Sequence, residues 1–300
     1  MVATEYTAGR SAVFEQLRRR LFSVAYRMTG TRADAEDIVQ EAYLRWHRAD
    51  MGEVRSPEAW LVSAVTRLSI DRLRKASAER AAYTGPWLPE PLFGSPPRSP
   101  EEQLELASDL SMAFMVLLER LAPVERAAFL LHDVFDCDYP EIARILRKSE
   151  AACRQVVHRA RQRVRRDRRR FRAGEEDRRR LIEKFMEAAG AGDEATLLSL
   201  FAEDATLTSD GGGVVPAARK VVTGRRRIAR LFIVVARKLG GRLTQSVIQI
   251  NGEPGLMTYI DGAPFSATSF ETDGRSILAL YNVLNPEKLK GIRPPQGAPD

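Results

Sequence analysis

Along the first 83 residues, apolar side chains recur at helical spacing. Phe14, Leu17, Leu21, Phe22 and Ala25 share one face, with Arg18, Arg19 and Arg20 between them. That is the stripe of an amphipathic helix. Ile38, Ala42 and Leu44 continue the pattern in a second helix. Ser56-Pro57-Glu58 opens a third: a hydroxyl to cap it, proline in its first turn and an acid at its positive end. Trp60, Leu61, Ala64, Val65, Leu68 and Leu73 lie along that helix.

The pattern then breaks. Six prolines fall in the sixteen residues from Gly85 to Pro100, and proline removes backbone donors and fixes φ, so the stretch reads as extended. Its Trp87, Leu88, Leu92 and Phe93 would each cost roughly 1.5–3 kcal/mol to leave in water. The linker is therefore expected to dock on something. Ser99-Pro100-Glu101-Glu102 restarts helix with capping-box spacing.

From Asp138 to Arg172 the pattern is that of a helix-turn-helix. A short helix, Glu141 to Leu146, turns through Arg147-Lys148-Ser149, with Ser149 as N-cap of the next. That next helix is expected to bury Cys153, Val156, Val157, Ala160 and Val164. Its other face carries Arg154, Gln155, His158, Arg159, Arg161, Gln162 and Arg165. Such a helix fits the DNA major groove. Arg154 and Gln155 are the candidates for base edges, since Arg pairs with guanine and Gln with adenine. His158 suits either role. Arg159, Arg161, Arg163 and Arg165 are placed for phosphates.

The last part changes period. Leu181, Phe185, Ala188 and Ala189 form a helix, Gly192-Asp193 breaks it, and a short helix runs to Phe201. Ala205 to Thr208 reads as strand and Gly224 to Leu239 as helix. Four strand-like runs follow: Leu243 to Ile250, Leu256 to Ile260, Phe265 to Phe270 and Ile277 to Leu284. Asn251-Gly252, Asp261-Gly262 and Asp273-Gly274 separate them as turns. Helices followed by antiparallel strands imply an α+β domain. The fold class expected is thus multi-domain: two all-α helical domains, the second with the helix-turn-helix, plus an α+β domain.

Charge sharpens the reading. The chain is +7 overall, yet Arg144 to Arg172 holds thirteen Lys and Arg against two acids. A run this dense points to a polyanion, most often nucleic acid. Two cysteines, Cys137 and Cys153, allow no disulfide framework. No signal peptide and no run near the roughly 20 apolar residues of a membrane span is read, so a cytoplasmic protein without a membrane partner is expected.

Three motifs in order resemble those of sigma factors of the extracytoplasmic-function type. They are Asp34-Ala35-Glu36-Asp37-Ile38-Val39-Gln40-Glu41; Trp60-Leu61-Val62 continuing to Ile70-Asp71-Arg72-Leu73-Arg74; and Leu121-Ala122-Pro123-Val124-Glu125-Arg126 through Tyr139-Pro140-Glu141-Ile142-Ala143 to His158-Arg159-Ala160-Arg161. Three further motifs, Trp87-Leu88-Pro89-Glu90-Pro91-Leu92, Asp210-Gly211-Gly212-Gly213 and Asn285-Pro286-Glu287-Lys288-Leu289, are similar to those of a subfamily with a fused SnoaL-like, NTF2-like cone domain. One departure is that the glycine motif runs into Val214 rather than Lys.

The resemblance implies four parts: residues 1–83 for polymerase binding and −10 recognition, a linker at 84–100, residues 101–173 for −35 recognition, and a regulatory SnoaL-like domain at 174–300. It implies RNA polymerase core enzyme and promoter DNA as partners. Asp34, Asp37, Gln40 and Glu41 would meet polymerase. Arg55, Arg67, Arg72 and Arg74, with Lys75, would lie near −10 DNA; Ser149 and the exposed side chains of the next helix would lie at −35. Trp87 to Leu92, Asp210 to Gly213, and Asn285, Pro286 and Leu289 would join linker to tail. No cofactor or metal is implied, and the tail holds no His or Cys for one.

Cone folds often enclose a pocket, so a small-molecule ligand is an expected possibility for the tail. Asp210, Asp204 and Asp261, with Tyr259 or Tyr281 as donors, are the residues that an isomerase-like or hydrolase-like tail would use. Asp210-Gly211-Gly212-Gly213 reads more simply as a flexible turn, and no catalytic residue is expected. The other alternative is a ligand-sensing DNA-binding regulator that works without polymerase.

Overall fold

The computed structural model describes residues 2–50, 52, 54, 56–94, 110–167, 173–290 and 292. The chain forms two compact units, Met1–Ala81 with Met115–Arg168, and Ala82–Phe114 with Arg169–Asp300.

The first unit is helical. Helices α1 (Val2–Thr29), α2 (Arg32–Arg48) and α3 (Pro57–Ala81) pack on one another. Phe14, Leu21, Ile38, Val39, Ala42, Trp46, Leu61 and Val65 are buried. Leu44, expected in that core, is exposed. It stands two residues beyond Ala42, about 200° round the helix, on the outer face. Ser56 caps α3, its Oγ accepting from Ala59 N at 3.3 Å. The chain continues in α4 (Met112–Leu118), α5 (Pro123–Asp133), α6 (Tyr139–Leu146) and α7 (Glu150–Asp167). The helix start expected at Ser99 to Glu102 lies outside the described residues.

Helices α6 and α7 form the expected helix-turn-helix. Asp138 caps α6, its Oδ1 accepting from Glu141 N at 2.8 Å, so the helix begins two residues before the expected Glu141. Arg147 ends it in the left-handed region at φ 53°. Ser149 then caps α7, accepting from Ala152 N at 3.2 Å. Cys153, Val156, Val157, Ala160 and Val164 are all buried.

Arginines join the two helical regions within this unit by closing helix ends. The last carbonyls of a helix lack an intrahelical donor. Arg126 on α5, 1% exposed, donates Nε to Arg27 O near the end of α1 at 2.6 Å and pairs with Glu119. Arg80 at the end of α3 donates to Thr29 O at 2.7 Å and also pairs with Glu119. Arg67 on α3 donates to Arg144 O and Ile145 O, both at 2.9 Å, closing the end of α6.

The second unit is α+β. Its elements are α8 (Glu175–Ala191), α9 (Glu194–Leu200), β1 (Phe201–Asp210), β2 (Val222–Thr223), α10 (Arg225–Leu239), β3 (Leu243–Ile250), β4 (Glu253–Ile260), β5 (Ala263–Thr272) and β6 (Ile277–Val283). The four expected strands are present as the antiparallel run β3 to β6. The sheet is wider than expected, in the order β2-β1-β6-β5-β4-β3, because β1 pairs parallel to β6 and carries β2 on its outer edge. Asn251-Gly252 and Asp261-Gly262 both turn with positive φ at each residue, the two-residue hairpin geometry that their chemistry favours. Helices α8, α9 and α10 cover one face of the sheet. Phe185 of α8 sits at the centre, edge-on to Phe201, Phe232 and Phe270 at centroid distances of 5.9, 4.9 and 5.4 Å.

Candidate nucleic-acid interface and linker lock

Helix α7 turns Arg154, Gln155, His158, Arg159 and Gln162 to solvent. Burial of its apolar stripe fixes this choice, because a helix packed on one face must present the other. In the unbound chain several of these side chains hold local partners. Arg154 pairs with Glu150 at 3.1 Å and lies over the Tyr139 ring. His158 meets Gln162 at 3.0 Å. Arg161 is drawn back to Asp133, with Nε 2.8 Å from Oδ1, and Arg163 pairs with Glu125. These exposed pairs are worth only about 0–1 kcal/mol each, so a phosphate can displace them. The side chain of Arg165 lies outside the described residues.

The acidic stretch of α2 divides. Asp37 and Gln40 are exposed, whereas Glu41 pairs with Arg45 at 2.8 Å. Asp34, one turn before Asp37, takes the Arg72 Nε at 2.6 Å. Arg72 also reaches Glu79. Its guanidinium is held above the usual arginine range, chiefly by the Asp34 hydrogen bond. Of the arginines expected along −10 DNA, Arg67 and Arg72 are thus held by protein acceptors, and Arg74 pairs with Asp71 on the surface at 3.3 Å. Arg55 lies outside the described residues.

In the second unit the linker and the α+β domain meet around one carboxylate. Asp210 ends β1 and is 0% exposed. Its Oδ1 accepts from Tyr83 OH at 2.6 Å and Gly212 N at 3.0 Å. Its Oδ2 accepts from Leu88 N at 2.9 Å and Lys288 Nζ at 2.7 Å. Lys288 also donates to Leu88 O, and its ammonium sits 4.1 Å from the Trp87 ring centroid and 5.2 Å from that of Tyr83. Asn285 Nδ2 donates to Tyr83 OH at 2.9 Å. Burial, then the hydrogen bond to Asp210, pushes the Tyr83 hydroxyl well above the ordinary phenol range. It stays a donor.

The linker is docked a second time further along. Leu92 N donates to Asn251 Oδ1 and Asn251 N to Leu92 O, both at 2.9 Å. Asn251 Nδ2 donates to Leu110 O at 2.8 Å, and Phe93 bridges Ile250. Leu88, Pro89 and Pro91 are buried. The apolar linker therefore has the docking surface that its composition demanded.

The glycine motif forms a turn, as expected, and a closely packed one. Gly212 has φ +64°, and a Cβ there would stand 2.5 Å from Asn285 Cγ, so backbone conformation and close approach both require glycine. Asp210 is not placed as a general base, because four donors surround its two oxygens. Asp204 is exposed, and Asp261 pairs with Arg242 on a hairpin turn. Tyr259 is buried, and Tyr281 donates to Glu271 at 3.0 Å. Pro286 and Leu289 belong to a short turn of helix after Asn285, with Leu289 buried. Glu90 is half-buried.

Tyr83, Lys288 and Asn251 are the site residues that sequence reasoning did not single out. Lys288 left a signal inside the Asn285 to Leu289 motif, and Asn251 left one only as a turn residue. A cavity of about 350 Å³ opens beside the lock, lined by Thr84, Pro86, Ser209, Val215 and Arg219 among others. Among the described residues no cluster of His, Cys, Asp and Glu could hold a metal, and no helix is long and apolar enough to cross a membrane.

Two family models match the chain: Sigma-70 region 2 over residues 13–79, and Sigma-70 region 4 over residues 111–164. The ECF RNA polymerase sigma factor SigJ of Mycobacterium tuberculosis is 40% identical over 291 residues, covering 93% of this chain and 92% of its own. A probable ECF RNA polymerase sigma factor, SigI, of the same organism is 29% identical over 94% of this chain and 96% of its own. The crystal structure of Mycobacterium tuberculosis SigJ superposes with a TM-score of 0.76 at 38% identity, covering 94% of this chain and 98% of the other.

Proposed function

We propose, for a chain that belongs to the extracytoplasmic-function family of RNA polymerase sigma factors, a division of labour among its parts. Residues 1–83 bind polymerase core and the −10 element. Residues 101–173 read the −35 element through α7. Residues 84–100 and 174–300 regulate both. The observation that carries the DNA reading is the geometry of α7: a fully buried apolar stripe opposite a solvent face of Arg154, Gln155, His158 and Arg159. Arg154 and Gln155 stand nearest the helix N-terminus, where major-groove helices meet base edges. Ser149 and the later arginines, Arg159, Arg161 and Arg165, position the phosphates.

Asp37, Gln40 and Glu41 form the polymerase contact on α2, with Asp34 at its edge. Arg67, Arg72 and Arg74, with Arg55, serve −10 DNA once protein acceptors release the first two. The α+β domain acts as a built-in regulator rather than an enzyme. Its Asp210 spends its acceptors on holding the linker, and the cavity beside it offers a small molecule a way to bias that hold. The protein works in the cytoplasm.

The test is reconstituted transcription with sigma-free bacterial polymerase on a promoter library. Transcripts that start at defined sites only when the protein is added support the reading. A protein that shifts specific duplex DNA alone, and yields no transcripts with polymerase, would be an ordinary regulator.

A further inference from the structure

Helix α10 carries a charge pattern that neither the fold nor the sigma function uses. Residues 219–238 hold eight Arg and Lys and no acid. The inner side of the helix is committed: Ile228, Ala229 and Ile233 are buried, and Phe232 packs edge-on against Phe185. The outer side presents two stripes. Arg226, Arg230 and Arg237 form one; Arg227, Leu231, Val234 and Lys238 form the other.

These cations do little for the domain itself. Arg230 lies 3.5 Å from Glu194, a long exposed pair. Arg226, Arg227 and Lys238 have no ion pair or hydrogen bond among the described residues. Gly224 provides no side-chain cap, and three arginines occupy the first turn, where the helix dipole opposes positive charge. Arg237 and Lys238 suit the C-terminal end of the dipole, but the first-turn arginines work against it, and an anion outside the helix accounts for them.

We propose that the outer face of α10 is a second DNA-binding surface, which holds the phosphate backbone of duplex DNA without reading sequence. Its 15 residues span about 22 Å, enough to follow several successive phosphates spaced about 3.4 Å along each strand. Four of its five exposed cations are arginines, whose planar fork matches phosphate oxygens. Two features favour DNA over a lipid surface. The exposed apolar area is limited to Leu231 and Val234, and the aromatic side chain of the helix is turned inward, whereas interfacial helices bury a broad apolar face.

The test uses the full chain and a fluorescein-labelled 30-base-pair duplex of arbitrary sequence, with affinity followed by anisotropy at several salt concentrations. Each phosphate neutralised adds about 0.9 to the slope of log affinity against log salt. The R226Q/R227Q/K238Q variant should lose about 2.7 of that slope. Between 50 and 200 mM salt, the wild type should then lose about 40-fold more affinity than the variant. An R154Q/R159Q variant in α7 should subtract its own share independently. A photo-crosslinking residue at Val234, 61% exposed, should label the duplex in the otherwise wild-type chain. An unchanged slope with no crosslink overturns the proposal. So does binding to phosphatidylserine–phosphatidylcholine vesicles, or to core polymerase, that the triple variant loses while its DNA affinity stays put.

Discussion

Replacing Lys288 by Met tests the linker lock at its most loaded point. The substitution keeps the length and apolar stem of the side chain and removes only the ammonium. Asp210 would then be a carboxylate at 0% exposure facing three neutral donors: Tyr83 OH, Leu88 N and Gly212 N. Breaking one partner out of a buried ion pair costs about 3–5 kcal/mol, because the remaining charge stays buried without its counterion. The cheapest relief is local. Undocking the Tyr83 to Leu88 stretch lets water reach Asp210 without unfolding the sheet. The Leu88 amide, bonded to Asp210 Oδ2 at 2.9 Å, reports this directly by hydrogen exchange. At about 1.4 kcal/mol per decade, its protection should fall by roughly 150- to 4,000-fold. Amides in the β5–β6 ladder should change far less. Lys290→Met, which removes an exposed partner of Glu287, is the matched control. The double variant D210N/K288M should recover much of the loss, because it removes both charges together. If K288M exchanges at Leu88 no faster than K290M, the buried pair does not hold the linker and the reasoning fails.

Other outcomes follow from the same geometry. Arg67→Ala removes both donors that close α6, and should destabilise the helical unit by about 1–3 kcal/mol in urea titration; no change would mean that water satisfies those carbonyls equally well. Gly212→Ala forces a side chain into a left-handed position 2.5 Å from Asn285, so the melting temperature should fall by several degrees, whereas the same change at the unobstructed Gly241 should not matter. The Cys137 thiol is pushed up to about 12, first by burial and then by the nearby Glu141 anion. It therefore stays protonated at pH 8, and Ellman's reagent should modify the native protein slowly and the denatured protein at once.

Much of the fold was legible because burial follows a period. The i, i+3, i+4 stripes located α1, α7 and α8, and the Asn-Gly and Asp-Gly pairs located two hairpins. Leu44 was misread because apolar character alone does not say which face a residue takes. Ala205 to Thr208 was legible as strand, but β2 and the place of β1 in the sheet were not, for a different reason. The parallel pairing of β1 with β6 joins residues about seventy positions apart, such as Leu207 and Leu280, and no local pattern encodes a partner at that distance. The docking of the linker was inferable from its stranded apolar side chains, and so was its destination in outline. Tyr83, Asn251 and the pairing of Lys288 were not, since a single polar residue carries no mark of the acceptor that it will meet. Arg67 makes the same point: a cation on a helix looks identical in sequence whether it faces DNA or, as here, the end of another helix.

The lock also stores chain length. The segment from Ala82 to Phe114 is the covalent bridge between the two halves of the helical unit, yet it belongs to the other unit. Its described residues are docked at Asp210 and again at Asn251, which gives it fixed anchor points. Released, its 33 residues could reach at most about 110 Å at full extension, or roughly 30 Å as a flexible coil. Undocking therefore leaves the two halves of the helical unit held by their own contacts, such as Arg126 with Arg27 and Arg67 with Ile145, and lengthens the free chain between them. The geometry around one buried aspartate thus sets how much slack lies between the two halves of that unit.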